Sequence, residues 1–301
     1  VELRLAARRI TLEAERPLLM GILNVGHDSV ADGRLLADLN ARVRVGMALV
    51  RDGAEIVDVG AVSGRTDTPP ISEQREIELV APVVAELARA GATVSVDTWR
   101  PRVVEAVLQA GAAMINDVSG LADVAVARLV AQAGAGLVVM HTRAPPKEAF
   151  FPGYEDPMAD VIAHLRRRVD LACANGVDHE QIVLDPGLDY SKTPQESVEV
   201  LRRLAELGSL RRPVLLAVSR KYFIGMISGR APEQRLGGTL AAVAFGLERG
   251  AHIVRVHDVA EVVEFLQVTR ALRATGPVTM RGDPGDESLK WIAPKRLTDQ
   301  S

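Results

Sequence analysis

The chain has one cysteine, Cys173, in 301 residues. A lone thiol excludes internal disulfides and cysteine-rich metal sites, and it suits a reducing compartment. Aromatic residues make up only 3% of the chain, too few for a base-stacking platform. No basic excess exists either: 36 Lys and Arg face 39 Asp and Glu, for a net charge of −3. A nucleic-acid-recruiting field is therefore absent. No apolar run reaches the roughly 18 residues of a membrane span. The first residues lack the pattern of a signal peptide. These absences point to a cytoplasmic chain that takes neither nucleic acid nor membrane as partner. His27, His141 and His257 fall at no spacing typical of zinc.

What the chain does have is a recurring phrase. Gly-Ala leads into a short apolar run, which stops at polar residues. Gly53-Ala54 runs to Asp58, Gly91-Ala92 to Asp97, and Gly111-Ala112 to Asn116 and Asp117. Gly134-Ala135 runs to His141, and Gly250-Ala251 to Arg255 and His257. The Gly suits the left-handed residue that closes a helix. The apolar run suits a strand buried on both faces. The polar stop falls where that strand leaves the core.

Further runs complete the series. Leu18–Leu23 ends at Asn24, Ile182–Leu184 ends at Asp185, and Val214–Val218 ends at Ser219-Arg220-Lys221. Helical periodicity covers about Leu35–Val50, Glu73–Ala90, Met158–Ala174 and Val259–Ala274. Eight apolar runs alternating with helices, joined by right-handed crossovers, make a parallel sheet. Eight units favour closure into a (β/α)₈ TIM barrel, with an open doubly wound sheet as the alternative. With 48% hydrophobic residues and no low-complexity linker, the chain reads as one domain over 1–301. Its core runs from about 17 to 274, and residues 275–301 read as a polar tail.

In a barrel the strand C-termini form one mouth. Asn24, Asp58, Asp97, Asn116, His141, Asp185, Lys221, Arg255 and His257 would meet there. Any one Asp after a strand is an ordinary helix cap or turn former. The whole set, buried without a ligand, would cost several kcal/mol unless its members paired. Asp97, Asn116 and Asp185 can exchange hydrogen bonds with a planar, nitrogen-rich ring. Arg65, Arg255 and His257 can hold phosphate oxygens. Asn24 and Asp32 offer oxygens to a phosphate-bound Mg²⁺.

Several stretches carry a family resemblance: Met20–Val25 (MGILNV), Ile115–Gly120 (INDVSG), Leu184–Gly187 (LDPG), Val218–Lys221 (VSRK) and Arg255–Asp258 (RVHD). Over about residues 17–274 the chain resembles the dihydropteroate synthases. That family has a (β/α)₈ barrel, and its members are commonly homodimers. It joins 6-hydroxymethyl-7,8-dihydropterin diphosphate to the arylamine p-aminobenzoate and releases diphosphate. The resemblance implies that Asp97, Asn116, Asp185 and Lys221 hold the pterin. It further implies Arg65, Arg255 and His257 at the diphosphate, Asn24 at Mg²⁺, and Asp32, Arg65 and Lys221 in the reaction itself.

Departures from the family pattern fall on loops. Family Thr-Pro in the first loop is Gly26-His27, and the loop Phe is Val30. Family Gly-Gly-Glu-Ser-Thr-Arg is Gly60–Arg65, with Gly64 in place of Thr. Family Gly-Phe-Gly-Lys is Asp189-Tyr190-Ser191-Lys192, and the Ser after Ser-Arg-Lys is Tyr222. The resemblance gives that Ser, at a helix N-terminus, to the acceptor carboxylate. Val30, Gly64, Tyr190 and Tyr222 thus mark an altered acceptor pocket. Three readings stay open: the standard acceptor, another acceptor, or pterin binding without catalysis. Methyltetrahydrofolate methyltransferases share the barrel and pterin pocket, but they have no diphosphate for Arg65, Arg255 and His257 to hold.

Overall fold

The computed structural model describes residues 1–6, 8–13, 16–26, 30–31, 34–35, 38–62, 71–277, 280, 282 and 286–289. The chain divides into two units, Val1–Val263 and Glu264–Ser301. The first opens with an antiparallel hairpin, β1 (Glu2–Leu5) and β2 (Arg8–Thr11), followed by β3 (Leu18–Asn24). A short hairpin, β4 (Val30–Ala31) and β5 (Arg34–Leu35), precedes α1 (Leu39–Arg51). Then come β6 (Ile56–Gly60), α2 (Glu73–Arg89), β7 (Val94–Asp97), α3 (Pro101–Gln109), β8 (Met114–Asp117) and α4 (Val124–Ala133). They are followed by β9 (Gly136–Met140), α5 (Pro157–Ala174), β10 (Ile182–Asp185) and α6 (Pro194–Arg202). The series ends with β11 (Leu215–Ala217), α7 (Tyr222–Ser228), α8 (Leu236–Leu247), β12 (Ile253–Val256) and α9 (Val259–Arg273), whose residues from Glu264 onward belong to the second unit. In the second unit, a short helical turn covers Glu287–Leu289.

Eight strands form one parallel sheet in the order β10-β9-β8-β7-β6-β3-β12-β11. A parallel bridge between Leu184 and Val214 joins its two ends, and the Leu184 amide donates to the Pro213 carbonyl at 2.8 Å. The sheet is therefore a closed (β/α)₈ barrel, as the eight-run pattern anticipates, and not an open doubly wound sheet. Burial on both faces explains why the strands read as unbroken apolar runs; all of β6 and β9 is buried.

Helix boundaries follow local chemistry. Asp38 caps α1 by accepting from the Ala41 amide at 2.7 Å, so the helix begins at Leu39. The periodicity that suggested a start at Leu35 runs across the β5 strand instead. Ser72 caps α2, and Thr193 with Glu196 forms a reciprocal box on α6. The glycines of the recurring phrase all take positive φ; Gly134, at 65°, closes α4 in the left-handed conformation.

At the bottom of the barrel, Leu3, Leu5 and Leu12 pack with Leu18, Met20, Ile56, Met114, Val138, Val183, Leu215 and Ile253. The N-terminal hairpin thus contributes to the core, a role the sequence pattern did not signal. With an apolar plug at that end, polar strand residues concentrate at the other.

Candidate functional site

The mouth is built on strand ends. Asp97 and Asn116 are register neighbours at the ends of β7 and β8. From β12, Arg255 reaches across: its Nε donates to Asp58 Oδ2 at 2.6 Å, and its Nη2 donates to Asp97 Oδ2 at 3.0 Å. Asn116 Nδ2 donates to the same Asp58 oxygen at 3.1 Å. Arg255, assigned from sequence to the diphosphate, is therefore joined to the pterin-side residues through two carboxylates. Strand β6 runs on to Gly60, so Asp58 lies within the strand and is fully buried. The family resemblance gives Asp58 no role of its own. A carboxylate inside an otherwise apolar buried strand demands a cation partner, and that is the signal that could have found Arg255 for it.

The electrostatics leave this cluster ready for a ligand. Asp58 Oδ1 and Asn116 Oδ1 are buried with no hydrogen-bond partner among the described residues. Burial pushes the Asp97 carboxyl up to about 7; Arg255 opposes that rise, while Asp58 and Glu76 add to it. Burial also opposes charge on Arg255, but Asp58 and Asp97 hold its guanidinium above the usual value. Unsatisfied buried acceptors beside carboxylates favour a ligand rich in N–H donors.

Asp185 ends β10 and is 5% exposed. Its Oδ1 accepts from the Gly187 amide at 2.7 Å, while Oδ2 takes no hydrogen bond among the described residues. Burial raises its pKa, against the pull of the Gly187 amide and Lys221. Gly187 has φ 64°, and a Cβ there would stand 2.0 Å from the His141 carbonyl oxygen, so only glycine fits this turn. Lys221 donates from Nζ to the Leu188 carbonyl at 2.8 Å and lies over the Tyr190 ring, 4.5 Å from its centroid. Burial lowers the Lys221 pKa, with Asp189 and Asp185 supporting the charge.

His257 follows β12. Its Nδ1 pairs with Ser219 Oγ at 2.9 Å, and Ser219 Oγ in turn accepts from the His257 amide at 3.2 Å. When Oγ donates to Nδ1, the imidazole proton lies on Nε2 and is available to a ligand. Burial, with Arg220 and Arg255 nearby, lowers the His257 pKa to about 4. At neutral pH it is an uncharged donor. Asn24 ends β3 with its side chain exposed.

The departures at the rim prove to be linked. Tyr222 does not fill the mouth: it is 55% exposed and begins α7. The carboxylate of Asp189 accepts from the Tyr222 amide at 2.6 Å and the Phe223 amide at 3.3 Å. Asp189 has φ 64°, a conformation Asp tolerates better than most side chains. Asp32, Gly64 and Arg65 lie outside the described residues, as does the side chain of Val30.

His141 is fully buried, and its ring nitrogens are taken by Asp160 and Lys192 rather than left open to a ligand. In the sequence Lys192 is only the last residue of a family loop. Nothing in its sequence spacing signals that its ammonium is buried.

Residues 20–257 match the model of the pterin binding enzyme family. The dihydropteroate synthase of Mycobacterium leprae is 42% identical over 268 residues, covering 86% of this chain and 94% of that protein. The Bacillus subtilis dihydropteroate synthase is 36% identical, covering 88% and 91%. Among solved structures, Xanthomonas albilineans dihydropteroate synthase with 4-aminobenzoic acid superposes with a TM-score of 0.83 at 37% identity, covering 92% of this chain and all of that one. The same enzyme in complex with 7,8-dihydropteroate gives 0.81 at 36%. With the family model matching residues 20–257 and its barrel matching theirs, this chain belongs to the pterin-binding enzyme family of the dihydropteroate synthases.

Proposed function

We propose that this chain joins 6-hydroxymethyl-7,8-dihydropterin diphosphate to p-aminobenzoate, releasing diphosphate, in folate biosynthesis. The observation that carries this reading is the polar cluster of Asp58, Asp97 and Asn116 tied together by Arg255, with Asp185 near enough for Lys221 and Arg255 to act on its charge. Its carboxylates and carboxamide suit the N–H-rich edge of a pterin, with Lys221 donating to the ring. Arg255 and His257 would receive the leaving group, and the family resemblance assigns Arg65 to the same role. The reaction breaks the bond between the pterin methylene and the diphosphate oxygen, and the arylamine nitrogen then bonds to that carbon and loses a proton. No protein nucleophile is needed. Asp97 and Asp185 favour the positive charge that develops on the ring, and cationic or N–H donors receive the departing oxygens. Holding both reactants in the mouth supplies the orientation.

Mg²⁺ belongs to the same proposal. Among the described residues, no cluster of three or more His, Cys, Asp or Glu could cage a metal. Asn24 instead offers a neutral oxygen at the end of β3, beside the strand that carries Arg255. That suits an ion arriving on the diphosphate and keeping most of its water. Asn24 and Asp32 would hold it, and the ion would neutralise leaving-group charge.

The acceptor carries a second reading. With Asp189 already on the α7 amides, an acceptor carboxylate must displace it or bind elsewhere. That favours an amine without a carboxylate, or a weaker fit for p-aminobenzoate. A homodimer is also proposed. An apolar groove of about 300 Å³, lined by Leu201, Phe223, Ile224, Ile227 and Phe245, lies between α6, α7 and α8, with Met226 and Ile227 exposed beside it. No helix among the described residues is long and apolar enough to cross a membrane. A cytoplasmic site of action is supported by the single, unpaired Cys173.

The test is diphosphate release. The reading expects Mg²⁺-dependent release only when pterin diphosphate and p-aminobenzoate are both present. Binding of the pterin diphosphate without release for that or any other arylamine would sink the catalytic reading.

A further inference from the structure

Behind the pterin-facing residues lies a buried chain of polar groups that the reaction does not use. Lys192 is 1% exposed. Its ammonium donates to three acceptors: His141 Nδ1 at 2.7 Å, the Gly187 carbonyl at 2.9 Å and the Tyr190 carbonyl at 3.1 Å. An ammonium has three protons, and each is used. His141 Nε2 in turn meets Asp160 Oδ2 at 2.8 Å, so the imidazole proton sits on Nε2 and Nδ1 is free to accept. Arg143 fixes Asp160 from the other side, its Nε donating at 2.9 Å. The order Asp160, His141, Lys192 is thus fixed from a half-buried ion pair inward.

The two carbonyls at its end belong to the loop that follows β10. That loop has left-handed residues at Gly187, Asp189 and Ser191, with φ of 64°, 64° and 48°. The two non-glycine members cost about 1–2 kcal/mol each, so surrounding contacts must hold them in place. Ser191 Oγ is held by the Arg143 amide at 3.1 Å. From its outer side the loop presents the Leu188 carbonyl to Lys221, the Tyr190 ring beneath Lys221, and the Asp189 carboxylate to α7. From its inner side Lys192 holds it.

We propose that Lys192, aligned by His141 and Asp160, is the positioning residue of the pterin site: by pinning the Gly187 and Tyr190 carbonyls it sets where Lys221 and Tyr190 stand. The proposal rests on the reading of the mouth as a pterin site. Lys192 itself touches neither substrate. A neutral side chain cannot replace it, because none supplies three donors at one atom.

Charge supports the same assignment. The groups that act on Lys192 are Asp185 from β10, Lys221 after β11, Asp160 from α5, Glu196 from α6 and His141 after β9. Burial drives its pKa down to about 7, while Asp185 and Asp160 pull the other way. Burial, together with Lys192, lowers His141 to about 3, so His141 stays neutral. As pH rises through about 7 the ammonium becomes an amine with two protons, and one of three acceptors goes without.

The experiment is calorimetric titration with pterin diphosphate from pH 6 to 9, with steady-state kinetics beside it, on the full chain and on Lys192→Met. The expected result is a Kd and donor KM raised tenfold or more, with the arylamine KM within twofold. The alkaline fall in donor affinity expected of the unaltered protein should vanish in the variant. Lys192→Met strips three buried acceptors, so cooperative melting is checked first. If it does not melt cooperatively, Asp160→Asn, at a half-buried position, decides. Loss of the Asp160 charge should move the alkaline fall to lower pH and weaken donor binding several-fold. A folded variant with unchanged donor Kd and pH profile overturns the positioning role. Failure of the unaltered protein to bind pterin diphosphate at all overturns the pterin site on which it rests.

Discussion

Asp185→Asn separates what the pterin site does for binding from what it does for stability. In the ligand-free protein the Asp185 carboxylate is a liability. It is buried, its pKa is raised by desolvation, and only Oδ1 is engaged, by the Gly187 amide. The sign follows from linkage. A carboxyl with a folded pKa above its unfolded value stabilises fully below the unfolded pKa, and that contribution is lost as pH rises through the folded one. At neutral pH the native state therefore carries the penalty. Asparagine keeps an oxygen for the Gly187 amide and removes the charge, so the free variant should gain about 0.5–2 kcal/mol. For a domain of this size that raises Tm by about 1–8 °C. Binding should move the other way. The amide NH₂ would face the pterin's own donors, and a charge-assisted hydrogen bond of about 1.5–3 kcal/mol is lost. That corresponds to a roughly 10- to 150-fold weaker Kd for pterin diphosphate. Differential scanning calorimetry and isothermal titration on one preparation read both. A lower Tm with unchanged affinity would show that Asp185 is a structural turn former and not a ligand.

Other perturbations address the rest of the mouth. Ionisation of the Asp97 carboxyl, at about 7, adds an acceptor while the Lys192 ammonium is lost over the same range, so donor affinity should peak near neutrality; Asp97→Asn should remove the acid-side rise and leave the alkaline fall in a pH series of titrations. Arg255→Ala leaves Asp58 and Asp97 without their cation, a loss of about 3–5 kcal/mol that a thermal melt should register as a Tm lower by about 10 °C. Asp189→Gly, which suits the left-handed φ, frees the Tyr222 and Phe223 amides; the p-aminobenzoate KM should fall several-fold while the donor KM holds, and an unchanged acceptor KM would remove Asp189 from acceptor selection. Ile227→Asp should convert a dimer to monomer in sedimentation velocity, and a monomeric unaltered protein would end the dimer proposal.

The barrel was legible because each Gly-Ala phrase joins a helix end to a doubly buried strand, and both parts leave marks in a one-dimensional pattern. Strand limits were less so. Asp58 looks like a stop, yet β6 passes through it to Gly60, because Arg255 from β12 neutralises the charge within the sheet. Residue 255 is 197 positions from 58, and no local pattern encodes that pairing. The α1 start was hidden because apolar periodicity cannot tell a short strand from a first helical turn. The N-terminal hairpin was missed since four-residue strands with three arginines read as surface. At the site, the strand-end residues are legible one by one, whereas the Ser219–His257 pair and the Lys192 anchor depend on distances that sequence does not carry. Sequence did locate the rim departures. It did not tell that Asp189 and Tyr222 are joined through a backbone amide.

The measurement that bears most directly on the account is a crystal soak with pterin diphosphate and p-aminobenzoate. The pterin edge is expected against Asp97, Asn116 and Asp185, with Lys221 on the ring and the diphosphate by Arg255 and His257. Tyr222 should remain turned to solvent. A pterin bound away from Asp185, with Asp58, Asp97, Asn116 and Arg255 paired only to one another, would contradict it.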